Sequence, residues 1–406
     1  MTAVPNAASV AVSARNAATS HALWPDRQAC RVADLEAILD AGHAQPRPAS
    51  AAEIVLGIPV YDCEALRLRL AEPALRSHLM AEWHHVLADG AGVLMLAGAF
   101  ALEDVVDRVT AEFFAMIEDE KATGSGGDHF AKAGANNRVW NALQKLALRN
   151  PAAFCDYYGN PFLALPALAW LGPGYQVTSQ VNCVNPGGEA QQPHRDYHLG
   201  FCTPQQACAY PMPVHRELSP RLTLQGAVAH VDMPVESGPT LLLPHSQKYP
   251  FGYLVAGRED FDRCFDARRV QPPLRKGDAV FFNPALLHAA GSNKSASIRR
   301  IANLLQISSA FGRAMEAVDR AAMCLAIYPA LLEGVNGGEF DPEHVQHAIA
   351  SCAEGYAFPT NLDRDPPLGG LAPQSQQALM ARALNDRLPL ERFASTLADR
   401  AASKRA

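Results

Sequence analysis

From Tyr175 to Ser308 the chain breaks into short strand-like runs separated by Pro/Gly turns: YQVTSQVNCV, RLTLQGAVAHVDM, PTLLLP, GDAVFF and RRIANLLQIS. Many short strands with turn residues between them predict an all-β sandwich or barrel. The flanks read differently. GVLMLAGAF (92–100) predicts a buried strand, and EDVVDRVTAEFFAMIEDEK after it has apolar residues at helical spacing, with Glu103 and Asp104 in the first turn, where the dipole favours acids. A Gly-rich break, GSGGD (124–128), precedes a second amphipathic helix over 137–150. Beyond Phe311 the pattern is helical to the end. We therefore expect a loose arm over 1–50 with one short helix near Ala33–Ala41, a β-rich unit with N-terminal helices over 51–310, and a helical extension over 311–406.

Hydrophobic residues make up 49% and charged residues 19%, the balance of a globular chain. Thirty-five Lys+Arg against 41 Asp+Glu, with no dense basic run, argue against a nucleic-acid binder. The nine cysteines are scattered with no C-x-x-C pair, which suits reduced thiols rather than a disulfide framework or a zinc ribbon. The start lacks a basic region followed by an apolar one, so a secretory signal is not expected, although its Ser/Ala-rich, acid-free composition up to Asp26 shares features with an organelle transit peptide. The longest uncharged stretch, 157–188, is interrupted by four prolines and would be costly in lipid. The expectation is a cytoplasmic protein without membrane or nucleic-acid partners.

Several catalytic motifs fail. There is no G-x-x-x-x-G-K-[ST], H-E-x-x-H or G-x-S-x-G. His194-Arg195-Asp196 spells the kinase HRD, but the downstream lysine and asparagine and a DFG are missing. Read as a metal motif, the same segment is more productive. His194 and Asp196 are two apart, so on an extended segment both side chains point the same way and can take adjacent positions on one ion. His288, after a strand and a turn, offers a third ligand. Two imidazoles and one carboxylate on one face of an ion form the facial triad of non-haem iron oxygenases. On its own, H-x-D more often marks a hydrogen-bonded surface pair than a metal site.

Eleven residues after His288 lies Arg299. Strand parity groups it with Ile301, Asn303, Leu305 and Ile307, the bulkier set, which we expect to face the interior. An inward arginine needs an anionic partner: either an acid on a neighbouring strand or a dicarboxylate that also chelates the metal.

These segments together resemble the phytanoyl-CoA dioxygenase family of Fe(II)/2-oxoglutarate oxygenases, over roughly residues 85–305. The likeness rests on GVLMLAGAF with its acidic helix, on PHRD, on VDMPVESGPTLLLPHSQK and above all on KGDAVFFNPALLHAAGSNKSASIRR, which carries the spacing from distal histidine to arginine. The resemblance implies a double-stranded β-helix (jelly-roll, cupin-like) core flanked by helices, with His194, Asp196 and His288 as iron ligands. It also implies Arg299 on the 5-carboxylate of 2-oxoglutarate, and O2 as the other co-substrate. A small organic substrate, an acyl-CoA or secondary metabolite, would be hydroxylated or otherwise oxidised, with release of succinate and CO2. Asp196 argues for hydroxylation, because halogenating relatives lack that carboxylate.

The chain departs from the family pattern at Pro244-His245-Ser246-Gln247, so His245 is expected in a turn and not in catalysis. The inner face before Asp232 carries Thr223, Gln225, Ala227 and Ala229 where an aromatic is common, which makes Gln225 a candidate donor to the co-substrate. Gln180 and Asn182 are candidate cavity residues. Arg195 and Tyr197 either pack or touch substrate, His84 and His85 read as a helix-surface pair, and His215 and His230 as hydrogen-bonded histidines. The helical tail is a candidate cap or homodimer contact. Two other classes fit part of the pattern: a cupin-like metal enzyme without 2-oxoglutarate, and a non-catalytic jelly-roll binding module.

Overall fold

The computed structural model describes residues 23–42, 46–101, 103–124, 136–367 and 369–405. Half of the expected N-terminal arm (1–22 and 43–45) and the break after Gly124 lie outside the described residues. The short helix expected near Ala33–Ala41 is present as Val32–Gly42.

Among the described residues ten strands run in chain order: β1 (Glu53–Val55), β2 (Ile58–Asp62), β3 (Val93–Ala97), β4 (Asn136–Val139), β5 (Gln176–Val184), β6 (Thr223–Ala229), β7 (Leu241–Leu242), β8 (Ala279–Phe282), β9 (His288–Ala289) and β10 (Arg300–Ser308). Eight of them form one large mixed sheet in the order β1-β2-β3-β8-β6-β10-β5-β4, in which only β2 and β3 run parallel. The remaining two, β7 and β9, pair as a small separate sheet, with Leu242 opposite His288. Each apolar run from the central region supplies one of these strands. The segment 137–150 departs from expectation: its first residues pair with β5 as β4, Arg138 opposite Asn182, and the helix begins only at Ala142. Pairing to a sheet edge overrides the helical spacing of so short a stretch.

Helices cover one face of the large sheet. Their starts are written locally, by a side-chain cap followed by proline at the first helical position: Asn150-Pro151, Asn160-Pro161 and Asp341-Pro342. Ile301, Leu305 and Ile307 of β10 pack into the same core as Phe154 and Phe162, and as Met323, Tyr328, Ile349 and Phe393 of the C-terminal helices. The tail therefore buries its apolar faces on the main body and shares its core. The other face of the sheet, with the small β7–β9 sheet and the segment around His194, encloses a cavity of about 630 Å³. Among the described residues no helix is long and apolar enough to cross a membrane.

Candidate metal centre and its cavity

His194 sits on a one-residue bridge to His288, so the H-x-D segment is extended and both of its side chains turn toward the cavity. Two backbone hydrogen bonds between these residues, 3.0 and 3.1 Å, lock the register. The imidazole ring centroids are 4.5 Å apart. Asp196 lies between them, Oδ1 3.6 Å from His194 Nε2 and Oδ2 3.6 Å from His288 Nε2. One ligand atom from each of the three falls within 4.8 Å of the others.

Both rings are aimed by their far nitrogens. His194 Nδ1–H donates to the Gln192 carbonyl at 2.8 Å and His288 Nδ1–H to the Leu286 carbonyl at 3.0 Å, which leaves each Nε2 lone pair facing the centre. Burial, followed by the nearby His288, lowers the pKa of His194 and keeps it neutral and able to ligate. Burial pulls the Asp196 carboxyl upward, but the hydrogen bond and charge of His288, with His194 and Gln225, outweigh it and hold the group at about 2. Two imidazoles and an ionised carboxylate on one side of a point, open to the cavity on the other, are a donor set that fits iron(II).

The anchor of this segment is Arg195. Its guanidinium turns away from the cavity, donates to the carbonyls of Ser246 at 2.6 Å and Tyr249 at 2.8 Å, and lies 5.1 Å over the Tyr253 ring. Tyr197 donates to the Ala314 carbonyl. Both pack and neither lines the cavity.

Gln225 reaches the site differently from expectation. Its Nε2 donates one N–H to Asp196 Oδ2, so it braces that carboxylate, and the second N–H of the amide is not taken up by this bond. Gln180 and Asn182 line the cavity as expected, together with Ala227, Ala229 and Leu304.

Arg299 is not brought to the site. It is exposed, with its guanidinium 4.6 Å from the Phe114 ring on the helix side of the sheet. The next residue, Arg300, is 6% exposed and lines the cavity with Ala302, Leu304 and Gln306. Parity was grouped correctly, but the bulky set (Ile301, Leu305, Ile307) faces the helical layer, so "interior" lay on the side opposite the cavity. Among the described residues no carboxylate pairs with Arg300. Burial, with the nearby Arg138 adding to it, pushes the guanidinium down to about 10, still charged at neutral pH.

Sequence reasoning missed Arg138, which lines the cavity from β4 at 7% exposure. Among the described residues the other histidines fall outside the cluster. His245 adopts φ 72° in a turn and its Nδ1 bonds the Gly90 carbonyl at 2.9 Å. His230 bonds Thr110 and Tyr157, His215 the Ala207 carbonyl, and His84 the Ala169 carbonyl.

Comparison with known proteins bears on the family of the chain. The phytanoyl-CoA dioxygenase family matches residues 88–301. A dioxygenase of Aspergillus terreus, trt7, is 26% identical over 213 residues, 52% of this chain and 67% of that protein. The Emericella variicolor dioxygenase andF is 25% identical over 162 residues, 38% of this chain and 50% of that protein, so the match spans half the length of this relative. The solved structure of the epimerase SnoN in complex with Fe3+, alpha ketoglutarate and nogalamycin RO overlaps 59% of this chain and 85% of its own, at 23% identity and a TM-score of 0.39. That overlap is partial, and the assignment rests on the sequence match, which covers more than half of the 406 residues. This chain belongs to the phytanoyl-CoA dioxygenase family and is an iron- and 2-oxoglutarate-dependent dioxygenase.

Proposed function

We propose that His194, Asp196 and His288 hold the iron, that Arg300 receives the distal carboxylate of 2-oxoglutarate, and that a small organic molecule is oxidised in the remaining cavity. One observation carries the reading: three converging ligand atoms open onto a cavity whose wall presents a buried guanidinium with no carboxylate partner among the described residues. A charge left in that state is costly, and a diacid chelated at its other end is the partner that relieves it.

The iron, when bound, supplies O2 activation coupled to decarboxylation of 2-oxoglutarate to succinate. The protein's own work is positional. Gln192 and Leu286 carbonyls aim the two imidazoles, and the Gln225 amide restrains the carboxylate. Arg195 fixes the segment that carries two of the three ligands. Ala227, Ala229, Leu304 and Phe282 form an apolar floor that disfavours water beside the reacting groups.

In this reading the two sheets are the halves of a jelly-roll core spanning 51–310, and the helices of 311–406 brace it from outside. The cavity volume lies in the range of about 300–1,000 Å³ typical of drug-sized ligands, which supports a compact metabolite over a whole acyl-CoA. Nine free thiols support a cytoplasmic setting. The test is succinate release from 2-oxoglutarate by iron-loaded protein. It should require Fe(II) and disappear in Asp196→Ala. Succinate release unchanged in that variant would overturn the ligand assignment.

A further inference from the structure

We propose that Gln306 is a specificity residue that receives a hydroxyl group of an uncharged substrate, an inference that rests on the reading of this cavity as the active site with 2-oxoglutarate at Arg300. Gln306 lies six residues beyond Arg300 on the same face of β10, and both line the cavity. Strand register sets Gln225, the donor to Asp196, directly across from Gln306 on β6. Gln306 therefore stands beside the metal ligands, at the far end of the strand from the co-substrate's anchor.

The residue is 9% exposed, and its Oε1 has no hydrogen-bond partner among the described residues. Its neighbours in register are committed elsewhere. Thr178, opposite on β5, donates its hydroxyl to the Gln306 main-chain carbonyl at 3.0 Å. Gln180, next along the same face of β5, accepts from Arg138 through Oε1 and donates to Met315 Sδ through Nε2. Gln225 turns its amide nitrogen to Asp196, an ionised carboxylate that only accepts, so the orientation of that amide is fixed. Its Oε1 is thereby an acceptor, buried and likewise unpaired. Two acceptor oxygens thus sit on facing residues of neighbouring strands with no donor for either. Burying an unpaired polar atom is costly, and a donor brought by a ligand removes the cost.

The surroundings decide which donor fits. Thr178, Gln180, Gln225, Leu304 and Met315 are all uncharged. An ionised acid brings no proton to donate. An ammonium would need a carboxylate, and among the described residues lining the cavity Asp196 is the one carboxylate, already assigned to the metal. A hydroxyl brings a donor without a charge, and the Gln306 amide can turn about its last bond to meet it. Leu304, two residues back on β10, and Ala227, opposite it on β6, offer the apolar surface for a hydrocarbon skeleton.

The experiment is equilibrium dialysis of Fe(II)-loaded protein under argon with saturating 2-oxoglutarate. The probes are alicyclic alcohols (decalin-2-ol, adamantan-2-ol, cyclooctanol), each with its ketone, which keeps the skeleton and lacks the O–H. The expected result is that at least one alcohol binds about fivefold tighter than its ketone, the scale of one net hydrogen bond. In Gln306→Met, similar in length but without the amide, that ratio should fall to about one while the 2-oxoglutarate Kd stays within about twofold. Gln306→Asn, one methylene shorter, should keep only part of the preference. The inference is overturned by equal binding of alcohols and ketones, by no alcohol binding at all, or by loss of 2-oxoglutarate in Gln306→Met. A preference that survives Gln306→Met also overturns it, the outcome expected where Gln306 turns its amide to Gln225 and serves the strands alone. Should Gln306→Met fail to fold, an undiminished preference in Gln306→Asn overturns it in its place. Failure of the wild-type protein to bind 2-oxoglutarate would instead remove the proposed function. The alcohol-to-ketone ratios with Fe(II) alone, wild type against Gln306→Met, would then decide the inference separately.

Discussion

Arg299 and Arg300 are neighbours in the chain and lie on opposite faces of the large sheet: the first extends over the Phe114 ring at 4.6 Å, and the second lines the cavity beside Ala302. β10 begins at Arg300, paired with Val184, and the loop before it is tied by Asn293, whose Nδ2 donates to the carbonyls of Val184 and Ile298. That tether sets which arginine enters the cavity.

Arg300→Gln should raise the Kd of 2-oxoglutarate by about 10–100-fold, the range expected for losing a charge-assisted bond of ~1.5–3 kcal/mol. Arg299→Gln should change it by less than about twofold, since the residue is exposed. Calorimetric titration of metal-loaded protein measures both. The opposite ranking would restore Arg299 as the anchor.

Gln225→Leu removes the amide that donates to Asp196. Partners of metal ligands typically contribute about 10–100-fold in metal affinity, and a loss of that size in Fe(II) affinity is expected here, with the fold retained. Competition with a chelator of known affinity, alongside circular dichroism, checks it. An unchanged metal affinity would reduce Gln225 to a cavity residue.

Gly252→Ala should destabilise the protein by about 1–3 kcal/mol. A Cβ at this position would overlap the Arg195 guanidinium, which cannot withdraw without leaving the carbonyls of Ser246 and Tyr249. Because Arg195 separates His194 from Asp196, Fe(II) binding should weaken in the same variant. Denaturant unfolding and metal titration measure the two effects, and stability equal to wild type would show that Arg195 is not a rigid anchor.

His230 gives a pH signature. It is fully enclosed between Thr110 and Tyr157, and burial pushes its pKa down to about 3. The unfolded chain, near pKa 6.5, binds the proton first, so stability is complete above about pH 6.5 and falls as pH drops toward the folded value. From pH 7 to pH 5 this one group should remove about 2 kcal/mol of unfolding free energy. His230→Gln should flatten that part of the profile, and a profile indistinguishable from wild type would reject the assignment.

The candidate ligands were legible in the chain because a spacing of two on an extended segment gives His194 and Asp196 a shared direction, and because the resemblance of the segment around His288 to the family pattern supplied the third. Six of the ten strands among the described residues (β3, β5, β6, β7, β8 and β10) were visible as apolar runs between turns, and the helix starts as Asn-Pro and Asp-Pro pairs. Arg138 was not visible, because Asn136–Val139 is too short for its alternation to compete with the helical spacing that follows, and only pairing with β5 made it a strand.

Residue order thus determined which side chains of β10 travel together, His194 with Asp196 on one segment, and the presence of two adjacent arginines before a strand. Tertiary structure alone decided which face of β10 is the cavity. The strand is buried on both sides, by helices on one and the cavity floor on the other, so hydrophobicity distinguishes neither. A one-residue step then carries a guanidinium from solvent to the metal's side of the sheet, and no local pattern records which step was taken.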